Sequence, residues 1–220
     1  MVLYSRGVFL AEHAWKMMNK NNLSRIRSVL ILVFVLAGLC SYQTGYSQKN
    51  THDLALKVAS IKLGMNGYII GTQLSEEQKK SALSNVLEDS YEGTYKFHDG
   101  EVIIVVEKEK DLVLAVYQRD EKGTLAQARK MISGLMSRYG EPTTMAHEKL
   151  VYWAYNDQGK IPEDTFRDLR KKNEKFDVLA TVKFNSTFEI TAEKPDEKET
   201  GIVYFIISSD PLIQQFMGSL

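Results

Sequence analysis

Three histidines follow residue 47, His52, His98 and His147, and imidazole is the side chain that most often moves a proton near neutral pH. Their surroundings set what each could do. His52 sits in the polar stretch QKNTHD, His98 abuts the turn dipeptide Asp99-Gly100, and His147 precedes Glu148, a carboxylate suited to a local hydrogen-bonded pair. Two readings stand: solvated histidines beside turns, or a hydrolase in which His98 or His147 meets a carboxylate brought close by folding. The second histidine of an HExxH zinc site is absent from the sequence after His147. A serine nucleophile on a sharp elbow would show as GxSxG, and that string does not occur. Ser133-Gly134 falls inside a helical pattern, where Gly134 is expected to permit close approach to a sheet. P-loop, dinucleotide and EF-hand spacings are also missing from the sequence, so neither metal nor cofactor is assigned.

Carboxylates cluster twice, as Glu107, Glu109 and Asp111 in EKEKD and as Glu193, Asp196, Glu197 and Glu199 in EKPDEKE. Clustered oxygens can hold Ca²⁺, but lysines interrupt both groups, and charged hairpin tips of this kind discourage edge-to-edge pairing. The aromatic run YWAY is the other candidate. In a strand, Val151, Trp153 and Tyr155 share one face while Tyr152 and Ala154 share the other. An exposed Trp153 would offer a flat plate to a sugar or a partner side chain; a buried one would anchor the core. Trp153, Tyr155 and Tyr152 are therefore the candidate ligand-binding residues.

These side chains sit downstream of a leader-like segment. Val29 to Leu39 is an unbroken run of 11 apolar or Gly residues, about half the roughly 20 that a membrane-crossing helix needs. Lys20, Arg25 and Arg27 precede it and small polar residues follow, the order of a secretory signal peptide. Gly45 and Ser47 place the cut before Gln48. Leu39 is too large for the position preceding a lipidated cysteine, which argues against lipid on Cys40. Retention as an uncleaved membrane helix is the alternative. Met17 and Met18 stand just ahead of the basic segment, so residues 1–17 read as an untranslated or disordered extension.

Removing the leader changes the balance of the chain. The full sequence has 28 basic and 28 acidic residues; the first 47 hold five basic and one acidic, which leaves 23 against 27 and a net charge of −4. Nucleic-acid binding needs a basic face that neutralises phosphates, and neither the total nor any cluster supplies one. The single cysteine leaves with the leader, taking disulfides, thiolate nucleophiles and cysteine-bound zinc with it. Residues 48–220 are of a size that one core can serve.

Within that stretch, residues 54–70 read as a short helix or strand followed by a turn. Ser75 with Gln78 forms a capping box ahead of a helix expected over 76–89, with Ala82, Leu83, Val86 and Leu87 at helical spacing. Asp99-Gly100 marks a hairpin between strands at 93–98 and 101–107, and a third strand follows at 111–118. Val102 to Val106 is apolar on both alternating faces, which predicts a strand covered on both sides. Thr124 with Gln127 opens a second helix, carrying Leu125, Ala128, Ile132, Leu135 and Tyr139 on one stripe and stopped by Gly140 and Pro142. Strands are expected at 148–156, 177–190 and 201–209, with Pro162 opening a short surface helix that uses Phe166 and Leu169 as its apolar contacts. The order predicts an α+β domain: an antiparallel sheet of about six strands with two helices packed on it, compatible with a degenerate αβββ repeat.

SRYGEPTT, leading through YWAY to VYFIISSDPL, resembles small exported bacterial α+β proteins of unknown function, in which a helix ending in Tyr-Gly-x-Pro precedes an antiparallel sheet. The resemblance spans residues 124–212 and implies a fold and a compartment; it carries no catalytic residue. The charged stretch at 157–175 departs from the pattern. The sequon Asn185-Ser186-Thr187 has meaning only in a eukaryotic secretory route, and the leader reads as bacterial. The expectation is an exported, non-catalytic binding or assembly module of the bacterial cell envelope. Its partner would be an envelope protein or glycan, and membrane contact would be confined to the N-terminal segment. N-terminal sequencing of the cellular protein should return Gln48 first; a longer chain held in membranes through an alkaline wash would instead establish the anchor.

Overall fold

Antiparallel pairing organises the domain, as the runs of adjacent strands require. In the computed structural model, residues 48–88, 90–172, 177–191 and 200–217 are described, and Gln48–Leu220 is one compact unit. Five helices and eleven strands occur among the described residues. Helix α1 (Gln48–Ser60) precedes the small hairpin of β1 (Gly64–Met65) and β2 (Tyr68–Ile69). Then come α2 (Glu76–Ser84), β3 (Val86–Leu87), β4 (Thr94–Asp99), β5 (Val102–Glu107), β6 (Leu112–Thr124) and α3 (Leu125–Tyr139). The second half holds β7 (Thr144–Ala146), β8 (Leu150–Asn156), β9 (Gly159–Lys160), α4 (Glu163–Lys172), β10 (Ala180–Ser186), β11 (Thr200–Ser208) and α5 (Asp210–Met217). The leader, Cys40 and the acidic group from Glu193 to Glu199 lie outside the described residues.

The α+β class and the antiparallel sheet are as expected, but the sheet has nine strands, and the helices number five instead of two. Its order is β3-β4-β5-β6-β11-β10-β8-β7, with β9 paired to β8. Two meanders, β4-β5-β6 and β8-β10-β11, thus meet along their third strands. The extra strands are short pieces of two or three residues at edges and turns, lengths too small for a hydrophobic period to show.

Both capping boxes form. The Ser75 and Thr124 hydroxyls accept from the backbone N–H groups of Gln78 and Gln127, whose side chains accept in return. Helix α2 is shorter than expected, because Val86 and Leu87 leave it to pair with Phe97 and Lys96 of β4. Only Ala82 of that helix is buried, while Leu83 stands exposed. Strand β6 runs on to Thr124 and passes into α3 without a loop. Its polar end pairs with β11 up to Thr124 and Thr200.

Two turns correct the sequence reading. The β4–β5 hairpin is centred on Gly100-Glu101, since Asp99 pairs with Val102 and Gly100 alone takes positive φ, +61°. That is the pattern of a turn with Gly at its first central position. The strongest hairpin dipeptide lies instead at Asn66-Gly67, with φ of +48° and +82° between β1 and β2. Gly134 does not approach the sheet: it is exposed, and a Cβ placed there would meet nothing within 4 Å. A glycine at an open helical position costs roughly 1 kcal/mol relative to alanine, so Gly134→Ala should raise the unfolding free energy by about that amount. A lower melting temperature for the variant would show that the helix face is packed after all.

Candidate binding face

Because side chains alternate along each strand, the register separates the sheet into two rows that lie side by side but face opposite ways. One row runs Phe97, Ile104, Val116, Ile207, Val182, Trp153 across β4, β5, β6, β11, β10 and β8. All six are fully buried, in one cluster with Leu125, Ala128, Ile132 and Leu135 of α3, Val58 of α1 and Tyr68 of β2. This inner face is the core. The adjacent row runs His98, Ile103, Tyr117, Ile206, Lys183, Tyr152. Its middle four and Tyr152 are half-buried, and His98 is exposed.

The cover over this outer face is graded. Toward α5, the row of Ala115, Ser208, Thr181 and Ala154 is buried, with the Thr181 and Ser208 hydroxyls 3.3 Å apart and Leu212, Ile213 and Phe216 of α5 packed with Leu112 and Leu114 of β6. Away from α5, Arg119, Tyr204, Asn185 and Leu150 form a row in which Arg119 is exposed and the rest are half-buried. Strand β5 therefore departs from the expectation of two covered sides. Val102, Ile104 and Val106 are buried, but Ile103 and Val105 reach partly into solvent. Apolar β-branched residues at these two positions leave part of their surface open to solvent.

Cations flank the patch. The Arg119 guanidinium lies over the Tyr204 ring, 5.6 Å from its centroid, and Lys183 Nζ lies 5.8 Å from that of Tyr152. Both cations are also ion-paired, Arg119 with Glu121 at 3.1 Å and Lys183 with Asp210 at 3.3 Å. Phe166 of α4 contributes a ring 6.5 Å from Tyr152, so the surface helix opened by Pro162 borders the same face. Burial raises the Tyr117 phenol above its ordinary value against the opposing effect of Arg119, with a smaller push from Tyr204. Burial, then Asp210, raises that of Tyr152 further. Both hydroxyls stay neutral donors at any physiological pH.

The three aromatic candidates of YWAY divide. Trp153 is fully buried, and its Nε1–H donates to the Gly140 carbonyl at 2.8 Å. That bond ties the sheet to the end of α3. Tyr155 is buried beside it, and Tyr139 packs 6.1 Å from Trp153 with a buried hydroxyl that finds no acceptor among the described residues. Trp153 and Tyr155 thus take the core side of the alternative posed by the sequence; Tyr152 alone lies on the outer face. Tyr117, Tyr204, Arg119 and Lys183 were not singled out from the sequence, since only the pairing of β6 with β11 and of β11 with β10 makes them neighbours.

His98 and His147 do not meet. His98 lies on β4, and His147 in the β7–β8 turn, five to six strand positions away, or about 24 to 29 Å at the usual inter-strand spacing. Asp99, next to His98, points to the other face and accepts from the Tyr68 hydroxyl at 3.0 Å. His147 and Glu148 both take positive φ, +52° and +56°, a conformation that usually selects Asn-Gly. His52 lines a hollow of about 480 Å³ between α1 and the segment Gly71–Gln73, with Lys110 and Leu112 on the far wall. The Glu107 carboxylate accepts from the backbone N–H groups of Glu109 and Lys110, both at 2.8 Å, and Asp111 accepts from the Tyr95 hydroxyl and pairs with Lys79. Glu107 therefore folds its own turn, while Asp111 ties that turn to β4 and α2. No group of three metal-ligating side chains occurs among the described residues, and no helix among them is long and apolar enough to cross a membrane. Comparison with known proteins found no matching family model, no matching curated protein and no matching solved structure.

Two measurements check the inner cluster. Trp153→Ala should cost about 3 to 5 kcal/mol, whereas Tyr139→Phe, which removes an unpaired buried hydroxyl, should be neutral or stabilising; unchanged stability in the first variant would return Trp153 to the surface. The second measurement is alkaline. Burial, with a smaller push from Tyr139 against Arg138, moves the Tyr155 phenol from 10.0 up to about 12. Between those values the unfolded chain has released a proton that the folded chain keeps, so stability is full below pH 10 and falls as the pH rises toward 12. Tyr155→Phe should flatten that fall in denaturant titrations; an identical slope would show that Tyr155 ionises as freely folded as unfolded.

Proposed function

We propose that this protein is an exported, non-catalytic binding module of the bacterial cell envelope, and that its binding surface is the outer face of the sheet. The observation that carries the reading is the row Ile103, Tyr117, Ile206, Tyr152, apolar and aromatic side chains that remain half-buried where the opposite row is sealed. An extended surface of this kind, with an apolar centre and a rim of ion-paired polar residues, has the composition of a recognition patch. Export rests on the basic segment, the short apolar core and the small-residue exit of residues 18–47. A hydrolase built on His98 or His147 is the rival. It would need each histidine to recruit its carboxylate separately, given their distance across the sheet.

The trial is co-sedimentation of the protein, purified in the form the cell makes, with isolated envelope fractions. Ile206→Asp and Tyr204→Ala place a charge on, or remove a ring from, the outer face without touching the inner row, and both should release the protein into the supernatant while unfolding cooperatively as the parent does. Full retention of both folded variants would show that the outer face is not the binding surface.

A further inference from the structure

We infer that α4 carries a cleavage site: an endoprotease specific for arginine or lysine hydrolyses Arg170–Lys171 or Lys171–Lys172 and leaves the domain folded in two pieces. Water adds across the peptide bond, giving a carboxylate on one fragment and an amino group on the other. The sequence supplies the specificity. Arg170, Lys171 and Lys172 stand together at the end of the helix, and all three are exposed. Exposure alone does not make a helix cleavable, because proteolysis acts on the opened chain and its rate follows the population of that open form. The cost of opening is set by what the helix buries. None of the 10 residues of α4 is buried, and its ion pairs, Arg167 with Glu163 and with Asp164, lie inside the helix. Its tertiary hold is Phe166, whose ring meets that of Tyr152, with Leu169 half-buried. Helices shorter than about 12 residues are marginal in water without such packing, so local opening here is cheap.

Helix α2 makes the comparison. It is also short and carries adjacent lysines, Lys79 and Lys80, but it buries Ala82, its Gln78 side chain donates to the Gly67 carbonyl at 3.1 Å, and Lys79 pairs with Asp111 at 3.3 Å. Opening α2 breaks contacts to three other parts of the domain; opening α4 breaks little beyond one ring contact. The sheet survives the cut because no ladder runs through α4, which lies between β9 and β10. The C-terminal fragment carries β10, β11 and α5, and it is held by six residue pairs from β10 to β8 and by the pairing of β11 with β6. The other fragment ends on a shortened α4 that cannot hold its helix. Phe166 then leaves the ring of Tyr152, and the outer face is uncovered at that end.

The test is limited digestion by trypsin of the protein, purified as the cell makes it, read by mass spectrometry and gel filtration. The first cut should fall at Arg170–Lys171 or Lys171–Lys172, and the two fragments should elute together at the volume of the intact protein. The triple variant Arg170→Gln, Lys171→Gln, Lys172→Gln should prolong the life of the full-length chain about tenfold or more. Phe166→Ala, which removes the ring contact, should shorten it severalfold. Urea added below the global unfolding transition should change the rate little, the mark of a local opening. A first cut after Lys79, after Lys80 or at any other position would overturn the site. A rate that climbs in step with global unfolding would overturn the local opening of α4, and fragments that separate on the column would overturn the two-piece fold.

Discussion

The ladder between β6 and β11 is the constraint on which the architecture depends. It joins the two meanders, so that six strands share one inner face and one outer face, and it fixes which side chains stand in each row. Register here follows from burial: a slip of one residue would send Val116, Phe205 and Ile207 outward and Tyr117, Tyr204 and Ile206 inward. Its far end is tightly made. Gly123 pairs with Gly201; a side chain on Gly123 would strike Val203 2.7 Å away, and one on Gly201 would overlap Thr187. The register shift between Gly201 and Val203 then hands the strands on to the start of α3.

From that ladder follows an unequal treatment of two rows of similar composition. The inner row is closed by α3, α2, α1 and the β1–β2 hairpin, each of which brings apolar side chains to it. Polar side chains tie the cover down at its margin: Tyr68 of β2 donates to Asp99, and Lys79 of α2 pairs with Asp111, which also accepts from Tyr95. The outer row has α5 at one end and Phe166 of α4 at one side. Nothing in the physics of folding asks for Ile103, Tyr117 and Ile206 on a face left half-open, where polar residues would serve solubility better.

How far the sequence exposes this depends on the range of each signal. Helix boundaries set by caps were legible, because Ser75 with Gln78 and Thr124 with Gln127 act over one turn of chain. Alternation in YWAY correctly placed Trp153 and Tyr155 together and Tyr152 apart, but it could not say which side would be covered. Val86 and Leu87 continued a helical spacing by chance and were taken by the sheet, since pairing with β4 outweighs a weak propensity. Asn66-Gly67 carries little signal because its strands are two residues long. The polar run from Gln118 to Thr124 hid the end of β6, whose partner stands at the other end of the chain. The candidate face was the least visible part: its row is assembled from six strands, and no local pattern connects Tyr117 to Lys183.

The position of β11 carries a consequence for how the chain reaches this state. The last strand in the sequence occupies the middle of the sheet, between β6 and β10, so the first meander and the β8–β10 pair must each wait with a bare edge until Ser208 has been supplied. Contacts of that sequence separation form late and slowly, and two unpaired edges in the interim are open to pairing with other chains. A chain shortened before β11 would therefore be left as two half-sheets, each able to recruit the strand it lacks from a neighbour. The final strand is thus the step that turns an aggregation-prone intermediate into a closed sheet whose remaining borders, β3, β7 and β9, are only two or three residues long.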